Sequence, residues 1–324
     1  MGKWILRTGV EFVALSLLGL GVAFTNFYLW RADLIERLKE DPDRRVATTA
    51  LGDIEYAVVG EGVPVLALSG SPGGYDQSLL EVRAVPEVTV ADVMTIAVSR
   101  PGSLDTPLGS GMTYEEEADL FAALLDELGV DRVIVSATSG GGRAALRFAL
   151  QHPDRTMGLV LRSATTKSDS EDETPTELGE IGLLAADMVI WAGFTLIPAL
   201  WIDDYDSNDD VHEAIALAVA ESLVPLRARW DGNLNDIRQS LDPAIDSWPL
   251  EEISAPTLIL HGNADSLVSY EDAQDAAARI PNAQLVTFED GGHFVYLTKL
   301  PEVTTHVTQF IQSLTSDAEN SQQI

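Results

Sequence analysis

The sequence contains no cysteine. Disulfides, thiolate metal sites and cysteine nucleophiles are therefore excluded, and the redox compartment is left open. Histidine is scarce: the 324 residues hold five, His152, His212, His261, His293 and His306. No two of them sit four apart around a glutamate, as a zinc-protease helix requires. No G-x-x-x-x-G-K-[ST] phosphate loop is present, and no dinucleotide fingerprint follows a strand-like run. Neither a metal nor an organic cofactor is expected. Lysine supplies only four of the 20 basic residues, against 51 acidic ones, for a formal net charge of −31. Such a field repels nucleic acid and anionic lipid as partners. The acid excess is spread along the chain, as in a surface adapted to high salt, where screening removes self-repulsion and carboxylates keep the surface hydrated. With 46% hydrophobic residues, the chain can bury a sizeable core.

One long uncharged run is present. Phe12 to Trp30 is 19 residues without a charge, flanked by Lys3, Arg7 and Glu11 before and Arg31 after. As a helix it would be about 28 Å long, close to the hydrocarbon thickness of a bilayer. Trp4, Tyr28 and Trp30 stand where interfacial anchors would. Gly21-Val22-Ala23 offers a signal-peptide cleavage site, but the apolar run continues past it. The expectation is an uncleaved single-pass membrane anchor over residues 1–45, its juxtamembrane part being residues 31–45. The positive charges after the span favour a cytoplasmic catalytic domain.

From Val46 onward, strand-like and helical runs alternate. Short apolar runs at 54–60, 63–69, 93–99, 132–137, 158–164, 256–262 and 283–290 predict strands. Helical periods lie at Tyr114–Leu128, Gly141–Gln151, Tyr270–Arg279 and Glu302–Leu314. Apolar strands separated by helices imply an α/β fold, with a mostly parallel sheet covered on both faces. Residues 165–250 break the rhythm with acidic loops and two helical segments, Ile181–Ile202 and Val211–Arg229. They are expected to form a helical cap over a core made of 46–164 and 251–314. Residues 315–324 read as a polar, disordered tail.

The stretch "VIVSATSGGGRAALRFALQHP" (133–153) passes from strand to helix through three glycines. It offers three hydroxyls, Ser136, Thr138 and Ser139. A tight strand-to-helix turn exposes a nucleophile when the positions two before and two after it are small. Ser136 fails, with Ile134 and Thr138 there. Thr138 has Ser136 and Gly140, and Ser139 has Ala137 and Gly141, the better fit. A serine hydroxyl needs a base, a group to orient the base, and donors for an oxyanion. His293 follows the last strand-like run, after Gly291 and Gly292, and suits the base. Asp265, in "LILHGNADSLV", lies just beyond the 256–262 run and can accept the Nδ1–H of His293. The order Ser139, Asp265, His293 is that of the nucleophile-elbow enzymes. The N–H groups of Gly140 and of Ser71, in "SGSPGGYDQS", are the expected oxyanion donors. His152 reads as a helix cap, His261 as a strand end, and His212 and His306 as surface residues of helices.

Together these residues resemble the α/β-hydrolase superfamily over about 46–314. "HGNAD" and "GGHF" are similar to the family's acid and base motifs. "SGSPGGYDQS" resembles its His-Gly-x-Pro-Gly-Gly oxyanion loop with Ser69 in place of the histidine. "SRPGS" (99–103) resembles its Arg-Gly loop, and "ATSGGG" its G-x-S-x-G elbow with Ala137 in place of the first glycine. The resemblance implies an eight-stranded sheet with 165–250 as the cap. Haloalkane dehalogenases and epoxide hydrolases of this fold carry aspartate at the elbow, so the serine argues against both. It implies instead hydrolysis of a carboxylic ester through an acyl-enzyme on Ser139. In the cap, three readings of the apolar run Met188–Ile202 stay open: it lines an acyl pocket with Trp191, Phe194 and Trp201, it dips into the membrane, or it packs on the sheet edge. Alternatives are an aminopeptidase of the proline-iminopeptidase type, with Asp203, Asp204 and Asp206 holding the substrate amine, a non-catalytic ligand-binding member of the fold, and a cofactor-free perhydrolase.

Overall fold

In the strand Val133–Thr138, Val133, Val135 and Ala137 face one side and Ile134 the other, and all four are buried. A strand covered on both faces has no polar alternation, which is why it reads as a continuous apolar run. The structure, a computed structural model, describes residues 2–80, 83, 90, 92–169, 177–202, 205 and 210–321, with side chains from 18 to 316 of these.

Eight strands form one sheet: β1 (Arg44–Thr49), β2 (Gly52–Val59), β3 (Val63–Leu68), β4 (Val93–Val98), β5 (Val133–Thr138), β6 (Thr156–Arg162), β7 (Thr257–Gly262) and β8 (Ala283–Phe288). Their order is 1-2-4-3-5-6-7-8. β2 runs antiparallel to β1 and β4, and the remaining pairs are parallel. The mostly parallel eight-stranded sheet of the α/β-hydrolase fold is therefore present. β3 lies between β4 and β5, so the chain reverses direction across the sheet there, and a crevice opens beyond the carboxyl ends at such a switch point. β1 was not anticipated. It is an edge strand paired on one side only, mostly exposed and with no apolar run.

Ten described helices complete the fold: α1 (Gly2–Glu40), α2 (Tyr75–Ser78), α3 (Tyr114–Glu127), α4 (Gly141–Gln151), α5 (Glu180–Leu196), α6 (Asp210–Leu223), α7 (Trp230–Ser240), α8 (Tyr270–Arg279), α9 (Val295–Thr298) and α10 (Leu300–Ser321). α3, α4 and α8 cover one face of the sheet, where Leu120, Phe121, Leu124 and Phe148 meet Leu66, Val135 and Leu159. α10 covers the other, bringing Val303 and Ile311 onto Val65, Ile134 and Val160. Thr113 and Glu116 start α3 with a reciprocal capping box. α10 continues to Ser321, past the Leu314 end that its apolar period suggests.

Between β6 and β7 the described residues hold α5, α6, α7 and short 3-10 turns, and no strand. The two long helices expected there are shorter. α5 stops at Leu196 ahead of Pro198, and α6 at Leu223 ahead of Pro225. Proline lacks the N–H and crowds the preceding turn, which ends a helix.

The membrane anchor is corrected by the structure. Among the described residues no helix is long and apolar enough to cross a membrane. The carboxyl half of the Phe12–Trp30 run docks on the insertion instead. Phe27 is fully buried, its ring 5.8 Å from that of Trp191, and Trp30 lies 6.5 Å from the same ring. One turn on, Arg31 pairs with the buried Asp187 at 2.6 Å. An apolar helix that packs on an apolar partner carries the same composition as a span, and that is the source of the error. The assignment of membrane sides falls with it.

Candidate active site

Ser139 follows β5 and lies in the left-handed region, at φ 49°. A non-glycine residue there is strained, and the surroundings must hold it. They do so through the backbone. Ser139 N–H donates to Arg162 O at 3.2 Å, and Ser139 O accepts from Gly142 N at 3.0 Å and Thr165 N at 2.9 Å. Two glycines permit the close approach of α4. A Cβ on Gly141 would come within 2.8 Å of Leu68 O, and one on Gly142 within 2.3 Å of Thr165 O.

Ser139, His293 and Asp265 meet at the carboxyl edge of the sheet. His293 Nε2 lies 3.2 Å from Ser139 Oγ, and Nδ1 lies 2.9 Å from Asp265 Oδ2. The carboxylate fixes the tautomer: Nδ1 carries the proton, so Nε2 presents a lone pair to the Ser139 hydroxyl. Asp265 Oδ1 accepts the Leu267 and Val268 N–H groups, both at 2.9 Å. Burial pushes the Asp265 carboxyl up, but hydrogen bonds from His261 and His293 outweigh it and hold the group well below the usual carboxylate range.

The role of His261 was missed from sequence. It is fully buried, with Nε2 3.3 Å from Asp265 Oδ2 and 3.1 Å from Val268 O. Both neighbours of Nε2 are acceptors, so Nε2 carries the proton and His261 donates to the same carboxylate that orients His293. Its position four residues before Asp265 was the available signal. The other histidines lie elsewhere. His152 meets Asp119, His212 meets Tyr205, and His306 meets Phe288. Thr138 borders the same cavity as Ser139, yet its hydroxyl makes no hydrogen bond to His293. Ser136 lies further back along β5 and borders a different cavity, beside Val303 and Ile311 of α10.

The loop after β3 approaches the elbow closely. A Cβ on Gly70 would stand 2.8 Å from Ser139 Cβ. Ser69, in place of the resembling family's histidine, closes the loop by accepting the Gly74 N–H at 2.9 Å. Among the described residues neither the Ser71 nor the Gly140 amide donates a hydrogen bond within the chain. Gly140 caps α4, where the helix dipole adds positive potential. Two free amides and that potential suit a developing oxyanion.

A cavity of about 630 Å³ opens over Ser139. Its apolar side is made by Ile190, Phe194, Leu200 and Trp201 of the insertion, and its polar side by Arg143, Asp169, Asp236 and Ser240. Phe194 and Trp201 thus border the cavity. Trp191 does not: it turns away from the cavity and packs on Phe27 and Trp30 of α1. Asp203, Asp204 and Asp206 lie outside the described residues. Also unanticipated is Arg100, buried between Glu117 (2.7 Å) and Asp236 (2.6 Å). Burial works against its charge, but the two carboxylates keep its pKa well above the ordinary value.

Known proteins share this arrangement of chain. An alpha/beta hydrolase fold protein from Nakamurella multipartita is 31% identical, with 84% of this chain and 98% of that one covered at a TM-score of 0.68. A 2-hydroxy-6-oxononadienedioate/2-hydroxy-6-oxononatrienedioate hydrolase of Cupriavidus pinatubonensis is 27% identical over 80% of this chain and 92% of its own length. An sn-1-specific diacylglycerol lipase of Mus musculus is 28% identical over 71% and 74%. The profile of the alpha/beta hydrolase family matches residues 65–304, and with the sheet order described above the chain is a hydrolase that belongs to the alpha/beta hydrolase family.

Proposed function

We propose that the protein hydrolyses a carboxylic ester through an acyl-enzyme on Ser139. The observation that carries the reading is the unbroken hydrogen-bond chain from Asp265 through His293 to Ser139, ending beneath a cavity beside two free amides. Ser139 Oγ attacks the ester carbonyl while His293 Nε2 takes its proton. The carbonyl oxygen becomes an oxyanion held by the Ser71 and Gly140 N–H groups, each contributing roughly 3 kcal/mol of barrier lowering. His293 returns the proton to the leaving alcohol as the C–O bond breaks. It then deprotonates a water that attacks the acyl-enzyme, and the released Ser139 recovers its proton. Asp265 stays ionised throughout. The helices of 165–250 act as a cap, whose Phe194, Leu200 and Trp201 would receive an apolar acyl group.

One second reading is favoured by a relative. The compound in the name of the Cupriavidus enzyme has no ester, so its hydrolysis must break a carbon–carbon bond beside a ketone. The same serine, histidine and amides could serve that reaction, with Arg143 on the polar side of the cavity facing a carboxylate.

The test is turnover of p-nitrophenyl esters from acetate to decanoate by the full chain, at low and multimolar salt, beside Ser139→Ala. A loss of at least roughly 10⁴-fold in the variant is expected. Activity that survives in Ser139→Ala would overturn the assignment. Inactive wild type on esters, with turnover of a 2-hydroxy-6-oxodienoate, would select the second reading.

A further inference from the structure

The loop carrying Ser71 is anchored at both ends but only weakly in its middle. Ser69 Oγ holds Gly74, and Arg229 donates to Gly73 O at 3.2 Å. Ser71 itself makes one hydrogen bond among the described residues: its hydroxyl donates to Asp236 Oδ2. Asp236 belongs to α7, in the insertion, and lies 165 residues away along the chain. It is not a swinging surface carboxylate. Arg100 Nη1 donates to Oδ2 and Nη2 to Oδ1, both at 2.6 Å. Arg100 is fixed in turn by Glu117, through bonds of 2.7 and 3.2 Å. Arg100 and Glu117 are both almost fully buried. The bidentate pairing leaves Asp236 one orientation, and Ser71 takes its position from that orientation. The elbow lies close to the same hydroxyl, and only glycine fits at position 140: a Cβ there would lie 2.6 Å from Ser71 Oγ and 3.2 Å from Ser71 N.

We propose that Asp236 is a positioning residue for the oxyanion site: through the Ser71 hydroxyl it sets where the Ser71 N–H points, so that seating α7 on Arg100 completes the site. This rests on the reading of Ser139 as nucleophile and of the Ser71 amide as an oxyanion donor. A preorganised donor must be aimed at the place where charge develops, and small displacements weaken it steeply. Among the described residues no other hydrogen bond holds residue 71. The insertion thereby contributes to the chemical step as well as to the walls of the cavity.

The experiment is a double-mutant cycle on the full chain with Ser71→Ala, Asp236→Ala and the pair. Ser71→Ala keeps the N–H and the Arg100–Asp236 bonds, so it tests the tie even if Asp236→Ala fails to fold. Active sites are counted by fluorophosphonate labelling of Ser139, and kcat is taken per labelled site. Each single variant is expected to lower kcat per site roughly 10- to 100-fold with KM changed by less than about threefold. The double variant should be no worse than the poorer single one, because both remove one tie. A purely structural role would lower the melting temperature or the number of labelled sites and leave kcat per site at the wild-type value, which overturns the proposal. Multiplicative losses in the double variant overturn it too. If no ester is turned over, the labelling rate takes the place of kcat. Wild type that does not label at Ser139 brings down the functional reading and this proposal together. Wild type that labels at the same rate as Ser71→Ala brings down the proposal alone.

Discussion

The sheet and the helical insertion above it are held by different mixtures of force. β3, β5, β6 and β7 pair through parallel ladders, with one register shift at Val133/Ile134, and both of their faces bury aliphatic side chains against α3, α4 and α10. The insertion shares a smaller apolar cluster with the core, in which Phe194, Ile215 and Val219 pack with Leu80, Leu297 and Leu300. To that cluster and to the packing of Trp191 on Phe27 it adds guanidinium–carboxylate pairs. Arg229 meets Asp76 at 2.6 Å, Asp236 meets Arg100, and Asp187 meets Arg31 of α1. Burial of apolar surface is non-directional and tolerates small shifts. A buried ion pair is directional, and losing one partner strands the other charge. The strands beneath the elbow are therefore held by bulk packing, whereas the seating of the insertion is fixed at a few defined points in addition to its apolar contacts. Substitutions at the sheet edge should strike chemistry, and substitutions at the pairs should strike the seating of the insertion.

Asp265→Asn gives the largest effect expected from the sheet side after loss of Ser139. It would leave the fold intact and lower kcat/KM for esters by roughly 10³- to 10⁴-fold, because His293 would lose the partner that sets its tautomer. The pH dependence separates this carboxylate from an ordinary one. Its folded pKa is depressed, so its contribution to stability is fully present above the unfolded value of about 4 and is lost as pH falls towards the folded value. The stability gap between wild type and Asp265→Asn, from denaturant unfolding, should be flat from pH 5 to 8 and should narrow only below about pH 4. A gap that closes near neutrality would mean that Asp265 is not held ionised by His261 and His293.

From the insertion side, Arg229→Met is expected to cost about 3–5 kcal/mol, because Arg229 is fully buried and Asp76 would be left without its bidentate partner. Replacing both residues, as in Arg229→Met with Asp76→Leu, should recover most of the loss. Denaturant unfolding of the three proteins measures both. A single variant that costs less than about 1 kcal/mol would erase the distinction between the two regions.

The sequence carried the sheet side well and the insertion poorly, for physical reasons. An elbow, an acid and a base are local patterns: small residues around Ser139, and short motifs just beyond strands at Asp265 and His293. Their meeting point follows from a parallel sheet whose strands end at one edge. Asp236 has no such signature. It sits on α7, "WDGNLNDIRQS", where the apolar spacing of Trp230, Leu234 and Ile237 marks a helix but not the partner of a polar residue, and its partners Ser71 and Arg100 are more than a hundred residues away. The Phe12–Trp30 run shows the converse problem. Its apolarity was legible, but the partner that receives Phe27 is Trp191 on another helix, and a sequence pattern does not distinguish a protein face from lipid. β1 escaped because edge strands need no continuous apolar run.

The smallest effect marks the outer limit of the comparison. Arg37 of α1 pairs with Glu221 of α6 at 2.6 Å and with Asp33 at 2.9 Å, where Arg37 is half exposed. These bonds raise the Arg37 pKa, led by the hydrogen bond to Glu221. Water and salt screen the pair, and two long side chains must be ordered to make it. Arg37→Ala should therefore cost no more than about 0.5–1 kcal/mol at low salt and nearly nothing in molar salt. The Arg229–Asp76 pair joins the insertion by the same chemistry but is out of water, so the cost of Arg229→Met should hardly change with salt. Thermal unfolding of both variants across a salt series reads the contrast directly. Equal salt dependence at the two sites would mean that water reaches Arg229, and that burial does not distinguish the points that fasten the insertion from an ordinary surface pair.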